Sequence, residues 1–211
     1  MGPAVHNHPM DEWMQEIAAS AARLVVEEGM EYGAAKRRAV HALGLPQRTA
    51  LPSNDQVEDQ VREYIELFCN ETQPQELAAL RTHALLWMDR LQDFRPHLGG
   101  AVWRGTATRL SDIYLQLFCD DSKSTEVALI NMNLSYDVST VKGFHGEAVD
   151  ALSLHSFCAE LGEDIGVHLL IYDHDDVRGA LKPDAKGRTA RGDAKALRKL
   201  MCNDKEHEDH E

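Results

Sequence analysis

The chain has 211 residues, 43% of them hydrophobic and 27% charged, with a formal net charge of -13. That is enough apolar material for one sizeable core, or one domain with a helical appendage. The acidic excess repels nucleic acid at long range, so contact with it needs a local basic patch, and no apolar run approaches the roughly 20 residues of a membrane span.

The first half reads as helical. Ile17, Ala21, Leu24 and Val25 recur at helical spacing before Gly29, and a second short helix runs from about Tyr32 to Leu43, ended by Gly44 and Pro46. Within it Lys36, Arg37 and Arg38 stand together on a face read as solvated. Ser53 and Gln56 have the spacing of a capping box, and Val57, Val61, Ile65 and Phe68 follow as one apolar stripe. Pro74 suits the first turn of a further helix, whose seam is Leu77, Leu80, Ala84, Met88 and Leu91.

After Pro96 the period changes. "IYLQLF" alternates, "EVALINMNL" is helical, and "YDVSTV", "AVDALSLHSF" and "GVHLLIY" are strand candidates. The order predicts an α+β protein: a mixed sheet flanked by helices, with an N-terminal helical region. The expected divisions are residues 1–52 as helical region and linker, 53–201 as the main domain, and 202–211 as an acidic, disordered tail. Asp173, His174, Asp175 and Asp176 read as a polar turn, because the glycine and Val177 are misplaced for a calcium loop. Arg178, Lys182, Lys186, Arg188 and Arg191 gather in the glycine-bearing loop "VRGALKPDAKGRTARG", where phosphates could be neutralised. No signal peptide is expected, since no basic flank precedes an apolar core. Cys69, Cys119, Cys158 and Cys202 are scattered, which predicts reduced thiols and a cytoplasmic setting.

Residues 100–121, GAVWRGTATRLSDIYLQLFCDD, carry the functional signal. A glycine turn at Gly100 leads into a short helix, then into Ser111-Asp112 at the mouth of a strand. In this pattern residues 74–176 resemble the nucleotidyltransferase superfamily, the DNA-polymerase-beta-like fold in its minimal form, in a divergent bacterial branch. The resemblance implies a phosphate-binding turn at Gly100, Ala101, Gly105 and Thr106, with Arg109, Ser111, Arg188 and Arg191 as further nucleotide-binding residues. It also implies an NTP and a divalent metal, Mg²⁺ or Mn²⁺, as cofactors. Asp112 falls at the first acid position, Tyr114 replaces the second acid, and His168 stands at the third, with Asp137 and Asp150 as fallback acids. Asp112 and His168 are therefore the implied metal-binding and catalytic residues. A phenol stays neutral at pH 7, and imidazole suits Mn²⁺ or Zn²⁺ better than Mg²⁺.

The expected function is nucleotide or phosphate binding with a degenerate metal site and reduced or lost catalysis. The alternatives are an active, Mn²⁺-preferring nucleotidyltransferase acting on a protein, RNA or small-molecule hydroxyl, and a non-catalytic module for a protein partner. Expected partners are a nucleotide or a protein, with neither membrane nor nucleic acid among them.

Overall fold

The computed structural model describes residues 9–119, 121–183 and 187–208. They form two compact units that divide between Gln73 and Pro74.

The first unit holds α1 (Pro9–Glu28), α2 (Tyr32–Ala42) and α3 (Asn54–Phe68). Ile17, Ala21, Leu24, Ala35, Ala39, Val57, Val61 and Ile65 are buried together. Gly29 and Gly44 take positive φ where the first two helices stop, and Ser53 with Gln56 forms the expected capping box at the start of α3. Phe68 departs from the predicted stripe. It is 68% exposed at the last helical position, its ring tilted against Tyr64 at 4.7 Å. The basic residues of α2 are engaged locally: Lys36 Nζ donates to Pro52 O at 3.0 Å and Asn54 Oδ1 at 2.9 Å, and Arg38 pairs with Glu28. The unit thus takes in residues 53–73, which the sequence reading assigns to the main domain.

The second unit runs α4 (Gln73–Arg90), β1 (His97–Gly99), α5 (Gly100–Arg104), β2 (Ile113–Phe118), α6 (Ser122–Asn131), β3 (Asp137–Lys142), β4 (Ala148–Cys158), β5 (Glu163–Tyr172), α7 (Val177–Ala180) and α8 (Ala194–Glu208). Its strands form one five-stranded mixed sheet in the order β1-β2-β5-β4-β3. Only β2 and β5 pair in parallel; the other neighbours are antiparallel. The chain is therefore an α+β protein.

Strand alternation divides the sheet into two faces. Ile113, Leu115 and Leu117, with Leu152, Leu154, Val167 and Leu169, are buried in one core with Leu80, Ala84, Trp87 and Met88 of α4, Leu91 just after it, and Leu197 of α8. Ser156 fastens α4 to β4, its Oγ lying 2.9 Å from His83 Nε2 and accepting the Trp87 indole N–H at 3.0 Å. The opposite face carries Asp112, Tyr114, Gln116 and Phe118 beside Gly166, His168, Leu170 and Tyr172. Its far end is closed by a small cluster of Phe118, Val149, Tyr172 and Ala180, with Phe144 packed on it.

Helix α8 continues through Glu208, into the stretch read from sequence as a disordered tail. Its first turns are anchored by buried Leu197, and propagation from a packed start costs little where good helix formers follow. Lys186 lies outside the described residues. Among those described, no helix is long and apolar enough to cross a membrane.

Candidate functional site

The site begins where β1 turns into α5. Gly99 is extended, Gly100 adopts φ 67°, and Gly105 closes the helix at φ 82° with its N–H on Ala101 O. A Cβ on Gly100 would stand 3.5 Å from Tyr114 Cδ2, so the Tyr114 ring lies against this turn. Buried Arg81 donates from Nε to Val102 O at 3.1 Å, satisfying a carbonyl near the helix end. Trp103 donates its indole N–H to Thr189 O at 2.8 Å and packs its ring on Gly192. Neither Arg81 nor Trp103 stands out in the sequence, because the loop that Trp103 meets is remote along the chain.

The segment from Thr106 to Asp112 is tied back on itself. Thr106 N–H donates to Ala101 O at 3.0 Å. The Thr108 N–H donates to Ser111 Oγ at 3.0 Å and the Ser111 N–H to Thr108 O at 2.8 Å. Arg109 is ion-paired with Glu163, and its N–H donates to Glu76. Ser111 and Arg109 are therefore engaged in shaping the approach to β2.

Asp112, Tyr114 and His168 meet on the open face. Tyr114 and His168 are register partners on β2 and β5, and their rings stack at 4.7 Å and 25°. His168 Nε2 lies 3.0 Å from Asp112 Oδ2, while its Nδ1 lies 2.8 Å from Ser153 Oγ on β4. The hydrogen bond from His168 holds the Asp112 carboxyl below its ordinary range against the opposing effect of burial, helped by the Gly166 N–H. Ser153, which the sequence reading leaves out, becomes visible only through the β4–β5 register.

The other candidates are dispersed. Asp137 pairs with Ser153 on edge strand β3, where its whole strand is exposed; two strand spacings, about 10 Å, separate that backbone from β5. Asp150 alternates with Ser153 onto the opposite side of β4 and lines an acidic cavity with Asp121, Glu147, Asp173 and Asp176. Neither supplies a third acid beside Asp112. Asp173 caps the turn it belongs to, accepting from the Asp175 N–H at 3.1 Å. Arg191 is turned inward: Nη1 donates to Ala180 O at 2.8 Å and the guanidinium lies 4.2 Å from the Phe144 ring.

The donor set does not fit a pair of magnesium ions. One carboxylate faces an imidazole and a phenol, whereas Mg²⁺ wants hard oxygen ligands in octahedral array. Among the described residues no group of three or more His, Cys, Asp or Glu side chains could hold a metal ion.

No family model matches the chain, and no curated protein matches it. Among solved structures, a crystal structure of the Cid1 poly(U) polymerase with MgGTP bound aligns at 14% identity and a TM-score of 0.31. The alignment covers 54% of this chain and 38% of that one. A likeness this distant says nothing of activity.

Proposed function

We propose that this chain is a nucleotidyltransferase-like protein that binds a nucleotide or another phosphate ligand, with metal-dependent transfer reduced or lost. One observation carries the reading. Asp112, Tyr114 and His168 converge beside the Gly100 turn, as the residues of an acid triad would, yet only one is an acid and it is hydrogen-bonded to His168. A single carboxylate so engaged gives little help in positioning two metals for in-line transfer. Gly100, Ala101, Gly105 and Thr106 would shape the turn beside the phosphates. Arg191 is packed on Phe144, and Arg188 of the same loop would contribute positive charge beside the phosphates. The scattered spacing of Cys69, Cys119, Cys158 and Cys202 supports a cytoplasmic setting.

Calorimetric titration with ATP, GTP and UTP, each with and without Mn²⁺, tests the reading. Binding that barely depends on metal and weakens in Arg188→Gln is the expected result. No binding of any nucleotide under either condition overturns it. Transfer of label from a radioactive NTP to an acceptor hydroxyl, abolished in Asp112→Ala, would instead favour the active enzyme.

A further inference from the structure

Ser153 has no role in the nucleotide reading, yet it ends a continuous relay. Its Oγ is 2.8 Å from His168 Nδ1, and His168 Nε2 is 3.0 Å from Asp112 Oδ2. With the ring proton on Nε2 and donated to the carboxylate, the Nδ1 lone pair faces the serine hydroxyl. We propose that Ser153 is a nucleophile, with His168 as its general base and Asp112 orienting the imidazole, and that it accepts the acyl group of an uncharged carboxylic ester.

The relay is braced on several sides. Adjacent strands β2, β5 and β4 supply its members in order. Tyr114 stacks on the imidazole and fixes its plane. Gly166 leaves the Asp112 carboxylate a seat that any side chain would take, since a Cβ there would come within 2.5 Å of Oδ1. A nucleophile within hydrogen-bond reach of a base, itself held by a third group, is the geometry that activates a hydroxyl. The two ring nitrogens are exchanged relative to the familiar serine protease order, which leaves the direction of proton flow unchanged.

The surroundings select an uncharged substrate. Asp137 is the register partner of Ser153, so an acyl group carrying negative charge would meet repulsion at the serine, which lies on β4, two strands along the sheet from β2 and the Gly100 turn. In the reaction Ser153 Oγ bonds to the carbonyl carbon and its proton passes to His168 Nδ1. The bond from that carbon to the alcohol oxygen then breaks, and the same proton leaves on the alcohol. Water attacks the acyl-serine, gives its proton to His168, and frees the acid as Ser153 recovers a proton. Strand β4 is paired along both edges at Ser153, so its amides are engaged and the rate gain rests on the base, about 10²–10⁴-fold. Reactive leaving groups are therefore the suitable probes.

The full chain treated with an alkyl fluorophosphonate should gain one adduct by intact mass, mapped to Ser153, and should release p-nitrophenolate from p-nitrophenyl acetate in a stoichiometric burst. Ser153→Ala should abolish both signals. His168→Gln should slow labelling about 100-fold, and Asp112→Asn, which keeps the side-chain shape, serves in its place where the former fails to fold. No adduct on the wild-type chain, an adduct elsewhere, or an unchanged rate in a folded His168 or Asp112 variant overturns the proposal. Neither readout involves nucleotide, so its failure is distinct from failure of the nucleotide reading.

Discussion

The carboxylate of Asp112 fills the space that a side chain on Gly166 would need: a Cβ there would stand 2.5 Å from Oδ1, 2.6 Å from Cγ and 2.9 Å from Oδ2. Gly166→Ala should therefore push Asp112 off His168 and destabilise the fold by about 1–3 kcal/mol. In an Asp112→Ala background the same substitution should cost much less, because the colliding group is gone. Urea melts of the two single variants and the double variant measure this coupling. Strict additivity would mean that Gly166 is needed for some other reason.

Tyr114 and His168 are register partners, with Asp112 one strand repeat from Tyr114 on the same face. Tyr114→Asp combined with His168→Asp should thus gather three carboxylates and create affinity for Mn²⁺ or Mg²⁺. Three like charges also repel, so the double variant should be less stable without metal and regain stability when metal is added. Thermal melts across a Mn²⁺ titration read both effects. A folded variant whose midpoint ignores the metal would show that these positions do not converge on one ion.

Much of this architecture can be read directly from residue order. The capping box at Ser53, the α4 seam, and the alternation of "IYLQLF" each arise from neighbours a few positions apart, so local periodicity reveals them. That Asp112, Tyr114 and His168 share one face can be expected from the order of turn and strands. The importance of Ser153 and Gly166 cannot, since it comes from pairing between strands, and pairing order is a tertiary property. The inward packing of Arg191 has the same origin. A basic, glycine-rich loop suggests phosphate, but Phe144 lies more than forty positions away along the chain and provides the ring on which that guanidinium rests.

Ser53 permits a test confined to the first unit. Its side chain accepts from the Gln56 N–H at 3.1 Å while Gln56 Oε1 accepts from the Ser53 N–H at 2.8 Å. Ser53→Ala should lower stability by about 1 kcal/mol, and Ser53→Asp should recover most of it. Chemical denaturation of the three proteins decides the matter, and equal midpoints would remove the cap from any account of α3.

Acidification should weaken the second unit in two stages. Burial pushes His83 and His97 below the ordinary imidazole value. For these groups the unfolded chain takes up protons first, so their contribution is complete above about pH 6.5 and declines as pH falls below it. The Ser156 hydroxyl already accepts from Trp87, which leaves its own proton to donate to neutral His83. Asp112 follows at lower pH: its folded value is depressed, so its contribution is present above about pH 4 and is lost as pH drops through the folded value. Urea midpoints from pH 8 to 3 should fall in both windows, and His83→Asn should flatten the first. A profile unchanged by that variant would assign the first stage to other groups.

Arg191 separates a packing role from a ligand role. Its guanidinium lies 4.2 Å from the Phe144 ring, it donates to Ala180 O at 2.8 Å, and only 9% of the residue is exposed. Replacing it with leucine removes a cation–π contact and a charged hydrogen bond, a loss of about 2 kcal/mol, while keeping much of the apolar stem contact. Nucleotide affinity measured below the melting transition should stay within about twofold of wild type, in contrast to Arg188→Gln. If Arg191→Leu instead keeps full stability and loses nucleotide binding, the guanidinium belongs to the ligand, and the 187–193 segment must reposition when nucleotide binds.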